Sequence, residues 1–219
     1  MSPIGVGNSP CGVRNNGAPR AYRNCAGVAL VGEGLFVVML ILDPDKLKIG
    51  YVILAATRKP AIQAFQRKSG YGDSSKWTHV AGSIGGYDTV EAAMPRSRVV
   101  NLQKEYVDRG IEIKVMRRIG QDEHKRYKVA LWWATMNNLP YDTLQFFWFP
   151  LSIVCAKITL ILHRLFSSNK RFLCSELIAE GFYKEGDYLF NKPQENVLPA
   201  DFDNPALFEE AKDVWMEGG

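Results

Sequence analysis

The chain has only four cysteines, Cys11, Cys25, Cys155 and Cys174, in 219 residues, and no two of them form a C-x-x-C pair. It has just three histidines, His79, His124 and His163, none at metal-ligand spacing. These scarcities exclude a disulfide scaffold and a structural zinc site, and reduced thiols are the expected state. Charge of one sign is also scarce: 27 Lys and Arg against 23 Asp and Glu leave a net +4. That mild bias suits contact with an anionic membrane surface or wall polymer. No Arg/Lys stripe interleaved with aromatics occurs, so nucleic acid is excluded as a partner. The GSIGG stretch at 82–86 lacks the spacing of a dinucleotide fingerprint or a phosphate loop and is expected to be a turn. No metal and no cofactor is expected.

Uninterrupted apolar runs of membrane-spanning length are missing too. Residues 26–42 are apolar but short, and are broken by Glu33 and the two glycines that flank it, so a buried strand or helix segment is the preferred reading. Residues 1–25 are rich in Pro, Gly and Asn and read as a flexible leader, without the early apolar core of a cleavable secretory signal. A cytoplasmic enzyme, or an effector exported without such a signal, fits that expectation.

What is present is enough for one domain over residues 26–219 with a substantial core. Residues 51–55 read as a buried strand, and 60–68 as a helix opening on Pro60. KWTHVAGSIGG then alternates, with Trp77, His79 and Ala81 on one face and Thr78, Val80 and Gly82 on the other. The segment from DTVEAAMP through SRVVNL continues as short extended pieces, residues 111–119 alternate as a strand, and 122–138 form a helix with Val129, Trp132, Trp133 and Met136 inward. Strands first and helices later, without βαβ alternation, predict an α+β fold with an antiparallel sheet packed against helices.

Chemistry concentrates at FLCSELIAEGFYKEG. Cys174 stands at the start of a helix, where free amides and the helix dipole favour a thiolate. Taken alone it is a small core residue as readily as a nucleophile. A thiol hydrolase also needs a histidine to move the proton and a polar group to orient it. His79 on its strand is the candidate base, and Glu91 on a neighbouring strand is the candidate orienting group.

The ordered set LKIGYVIL, WTHVAGSIGG, VEAA, LPYD and CSELI resembles the permuted NlpC-type, papain-fold cysteine hydrolases, the YiiX-like branch. The lecithin:retinol acyltransferase group belongs to the same broad clan. The resemblance covers about residues 46–208, including LPADFDNPALF as a closing segment. It implies a circularly permuted papain-like fold, with the histidine strand first and the nucleophile on a late helix. It also implies Cys174 as nucleophile, His79 as base and Glu91 as the third member. Tyr141 in LPYD and Ser175 are implied at the oxyanion or substrate position, and Glu176 in a structural hydrogen bond.

Between LPYD and CSELI lies an apolar insertion at about 144–166, aromatic at its start and followed by cations. It reads either as a core helix or as an element touching membrane or an acyl chain, with Phe147, Trp148 and Phe149 as contacts; Lys157 and Pro150 argue against a true span. The sequence therefore predicts a cysteine hydrolase or acyltransferase acting through a thioester. A lipid or phospholipid substrate at a membrane surface is slightly preferred over a peptidoglycan or peptide amide. A non-catalytic membrane-associated binding protein on the same scaffold is the remaining reading. Oligomeric state is not legible.

Overall fold

The structure is a computed structural model that describes residues 40–140 and 173–217. Strands β1 (Leu40–Leu42), β2 (Val52–Ala55), β3 (His79–Gly85), β4 (Asp88–Ala93), β5 (Arg96–Asn101), β6 (Ile113–Arg118), β7 (Phe208–Glu210) and β8 (Trp215–Glu217) accompany helices α1 (Pro60–Lys68), α2 (Glu123–Thr135) and α3 (Cys174–Lys184). Six strands pair in the order β5-β4-β3-β2-β6-β7, and β1 pairs with β8. Every pairing is antiparallel, and α2 and α3 pack on the sheet and on each other. The expected α+β layout is present.

The central strand β2 is buried on both faces, which is why its sequence, VILA, does not alternate. Val52 and Leu54 join Val80, Val90 and Met116 in a cluster with Trp133 of α2 and Leu177, Ile178 and Phe182 of α3. Ile53 and Ala55 join Ala81, Val115, Leu102 and Tyr106 on the opposite face. The inward face expected for α3, Leu177, Ile178 and Phe182, is fully buried.

Two local expectations need correction. GSIGG is mostly strand: β3 continues to Gly85, and the hairpin turns only at Gly86 and Tyr87. Trp77 does not share a face with Ala81, because it precedes β3 and packs in the cluster of Val80. There its indole Nε1 donates to Asp203 Oδ2 at 2.9 Å.

The LPADFDNPALF segment fastens the fold. Its short 3-10 turn, Pro199–Asp203, carries two carboxylates. Asp201 accepts from Tyr71 Oη at 2.6 Å and pairs with Lys192 at 2.6 Å. Asp203 accepts from Ser74 Oγ at 2.8 Å and pairs with Lys114 at 2.6 Å. The fully buried Gln66 of α1 donates to the carbonyls of Ser75 and Trp77 and accepts the Ala200 amide. These bonds fix the chain immediately before His79.

One contact sets the distance between β3 and α3. The Trp133 indole lies between Gly82 and Gly181, so close that a methyl group built on either would stand 2.3 Å or 2.2 Å from it. Its Nε1 donates to the Ile178 carbonyl at 3.3 Å, and its ring meets Phe182 edge-on at 5.5 Å. Overpacking a filled core costs about 1–3 kcal/mol. Gly82→Ala and Gly181→Ala should each lower the unfolding free energy by that order, measured by urea unfolding. An exposed-site control such as Gly120→Ala, which has open space for a Cβ but a positive φ of 73°, should show backbone strain alone.

Among the described residues no helix is long and apolar enough to cross a membrane.

Candidate functional site

His79 opens β3 opposite Ala55 of β2. The antiparallel register of β3 and β4, set by Gly82 opposite Val90, carries Glu91 to a position diagonal to His79 on the same face. Glu91 is in turn directly opposite Arg98 of β5. Three neighbouring strands thus place an imidazole, a carboxylate and a guanidinium in one row.

The contacts follow that row. His79 Nε2 meets Glu91 Oε2 at 2.8 Å, with both side chains buried. Arg98 Nε donates to Glu91 Oε1 at 2.8 Å, and its Nη2 reaches Glu105 Oε1 at 2.8 Å. Tyr106, from a π-helical turn (Gln103–Val107), donates its hydroxyl to Glu91 Oε2 and stacks on the His79 ring at 6.3 Å. A buried carboxylate normally resists ionisation. Here burial pushes Glu91 up, but His79, the Tyr106 hydroxyl and the Arg98 charge outweigh it and hold the carboxyl down at about 2. Tyr106 is driven the other way: burial, the Glu91 charge and the hydrogen bond it donates to Glu91 raise its phenol well above the ordinary value.

Cys174 arrives from the opposite end of the chain, as the first residue of α3. The helix start is well formed: Leu173 is extended, and its amide donates to Glu176 Oε2 at 3.2 Å. Glu176 therefore makes a structural hydrogen bond, as expected from the family resemblance. The thiol is buried and free.

With Nε2 engaged by Glu91, Nδ1 is the ring nitrogen left over, and it has no aligned hydrogen-bond partner. Cys174 nonetheless raises the imidazole, through its charge and through hydrogen bonding at sulfur, so the two groups titrate together. Burial alone would raise the thiol. The His79 charge and hydrogen bond, the Lys59 charge and the Val80 amide together lower it from 9.0 to about 7. Burial would likewise lower His79, but the thiolate and Glu91 raise it to about 9. The resting form this favours is a thiolate–imidazolium pair, held in place by an ionised carboxylate.

The structure thus brings Cys174, His79 and Glu91 together. Ser175 lies beside them, but its hydroxyl donates to the Val197 carbonyl at 2.5 Å and is committed to the scaffold. What Ser175 offers an oxyanion is its backbone N–H, since the first amides of a helix have no intrahelical acceptor. Tyr141, Phe147, Trp148 and Phe149 lie outside the described residues, as does the whole 144–166 insertion within residues 141–172.

Sequence reasoning missed Arg98 and Tyr106. The hairpin register would have found Arg98, because Glu91 and Arg98 flank the Met94–Pro95 turn at matched distances. No periodic signal marks Tyr106, whose turn departs from α-helical spacing. Among the described residues, no group of three or more His, Cys, Asp or Glu side chains is arranged to hold a metal ion. Compared with known proteins, the chain matches no protein-family model, and no curated protein is significantly similar to it.

Proposed function

We propose that the protein is a papain-like cysteine hydrolase or acyltransferase, with a circularly permuted chain order, that cleaves an acyl bond through a thioester. The observation that carries this reading is the meeting of a buried Cys174 thiol at a helix N-terminus with an imidazole already oriented by a buried, ionised Glu91. A merely structural cysteine has no use for a histidine whose other nitrogen is fixed by a carboxylate with three partners.

In this reading the Cys174 thiolate attacks the carbonyl carbon, and the carbonyl π electrons move onto oxygen. The α3 N-terminal amides stabilise that oxyanion. His79 then delivers its proton to the leaving alcohol or amine as the tetrahedral centre collapses to a thioester. Water or another acceptor, deprotonated by His79, attacks the thioester and returns the thiol. Glu91 keeps the imidazole in the productive orientation throughout and is not itself protonated.

A lipid acyl ester is the preferred substrate over a peptide amide. The support is the apolar stretch at 144–162, which enters the sequence directly before the nucleophile helix. With phospholipid vesicles, wild type should release free fatty acid and Cys174→Ala should release none above background. Equal release by both proteins, or none by either, removes the lipid assignment; cleavage of muropeptides that stops in Cys174→Ala would transfer it to the amide class.

A further inference from the structure

We propose that Arg58 and Lys59, on the loop hydrogen-bonded to the residue before His79, form a receptor for an anionic group on the substrate, so that the preferred acyl compound carries a phosphate or carboxylate near its scissile carbonyl. This deepens the reading of Cys174 as nucleophile and rests on it.

The loop that presents these cations is fixed to the site. After β2 the Ala56 amide donates to the Glu112 carbonyl at 2.9 Å. The Thr57 amide donates to Thr78 Oγ1 at 3.1 Å, and the two hydroxyls lie 3.1 Å apart. Thr78 directly precedes His79, and its own amide bonds the Ala55 carbonyl at 3.1 Å. Arg58 then takes a positive φ of 54°, a region that a branched-out side chain such as arginine seldom occupies. Such conformations persist where the surroundings dictate them, and they gather at ligand-binding positions.

Among the described residues neither charge is paired with a carboxylate, and α1 has no acidic residue in its first turn. Lys59 is half-buried, and its charge reaches the Cys174 sulfur. The thiolate is thus the negative group it faces at rest. Acylation removes that negative charge, because the sulfur becomes a neutral thioester. An anion on the substrate would replace it, while the exposed Arg58 offers the planar fork suited to phosphate or carboxylate oxygens.

Alkylation reads this directly without a substrate. Iodoacetate and iodoacetamide both form an S–C bond at Cys174 and expel iodide, and they differ in the charge beside the attacked carbon. At pH 7 and low salt, the iodoacetate-to-iodoacetamide rate ratio at Cys174 should exceed that of glutathione by roughly fivefold, the attraction of unit charges a few Å apart in a water-like medium. The excess should vanish in Arg58→Gln/Lys59→Gln and in molar salt, while iodoacetamide still labels the variant. Protection of wild type by inorganic phosphate below the concentration needed for acetate assigns a phosphate-bearing substrate; the reverse order assigns a carboxylate. A wild-type ratio equal to that of glutathione, or one unchanged in the double variant, overturns the receptor and leaves the nucleophile intact. Failure of both reagents to label Cys174 faster than glutathione below pH 7 overturns the nucleophile reading as well.

Discussion

His79→Ala is expected to abolish the labelling of Cys174 by iodoacetamide at mildly acidic pH. In the wild type the thiol is held at about 7 against an ordinary 9.0. At pH 6 that difference supplies roughly a hundredfold more thiolate, of which about tenfold is given back because a less basic thiolate is a weaker nucleophile. The net advantage over an unperturbed thiol is therefore about tenfold. Removing the imidazole removes the charge and the hydrogen bond that overcome burial, so Cys174 should then label more slowly than a small thiol. Mass spectrometry of the Cys174 peptide over a pH series separates it from Cys11, Cys25 and Cys155. Identical pH profiles for wild type and His79→Ala would end the case for an activated nucleophile. Acyl transfer itself should follow a bell-shaped curve. Its acid limb is the loss of thiolate as pH falls through about 7, and its alkaline limb the loss of imidazolium as pH rises through about 9.

Glu91→Gln should produce the second large effect, on activity and stability together. The carboxylate is 1% exposed and accepts from His79, Tyr106 and Arg98 at once. An amide has one acceptor oxygen and presents an NH2 to donors, so at least one buried group loses its partner. Breaking a buried pair in this way costs about 3–5 kcal/mol, and half-exposed Arg98, screened by water, places this site near the lower figure. The sign with pH follows from the lowered carboxyl. Its contribution is fully present above the unfolded value of 4.5 and disappears as pH falls through about 2. The stability gap between wild type and Glu91→Gln should thus close as pH falls between those two values, and it should also narrow as pH rises from 6.5 through about 9, where His79 loses the proton that Glu91 helps to hold. With the imidazole no longer oriented, the proposed acyl-transfer rate should fall by about 10⁴, the loss seen when a triad's orienting carboxylate becomes an amide. Denaturant midpoints across pH and initial rates on one preparation measure both. A gap that widens in acid would contradict the assignment of Glu91 as the ionised member.

The sequence showed those parts whose signal is local. Pro60 at a helix start, the buried VILA strand and the Leu177, Ile178, Phe182 face are written in spacing and composition, and the structure has them. Cys174 at a helix N-terminus and Glu91 one hairpin from His79 are also short-range inferences, and both hold. What failed depends on contacts far along the chain. GSIGG looked like a turn because glycine usually marks one, whereas Gly82 is glycine because an indole from α2 occupies the space of its side chain. The single buried residue of α1 is a glutamine, which no hydrophobic pattern would select, and it is inside because three backbone groups of distant segments surround it.

The order of these pieces along the chain has a consequence for biogenesis. β3, which bears the imidazole, is made early, whereas α3 and the carboxylate-bearing turn that fastens the region before β3 come near the end of the described chain. Contacts between such remote segments are closed last and most slowly. Until those segments meet, Cys174 lacks the imidazole whose charge and hydrogen bond lower its thiol. The lowered thiol arrives with the finished fold, so low-pH alkylation doubles as a gauge of complete folding.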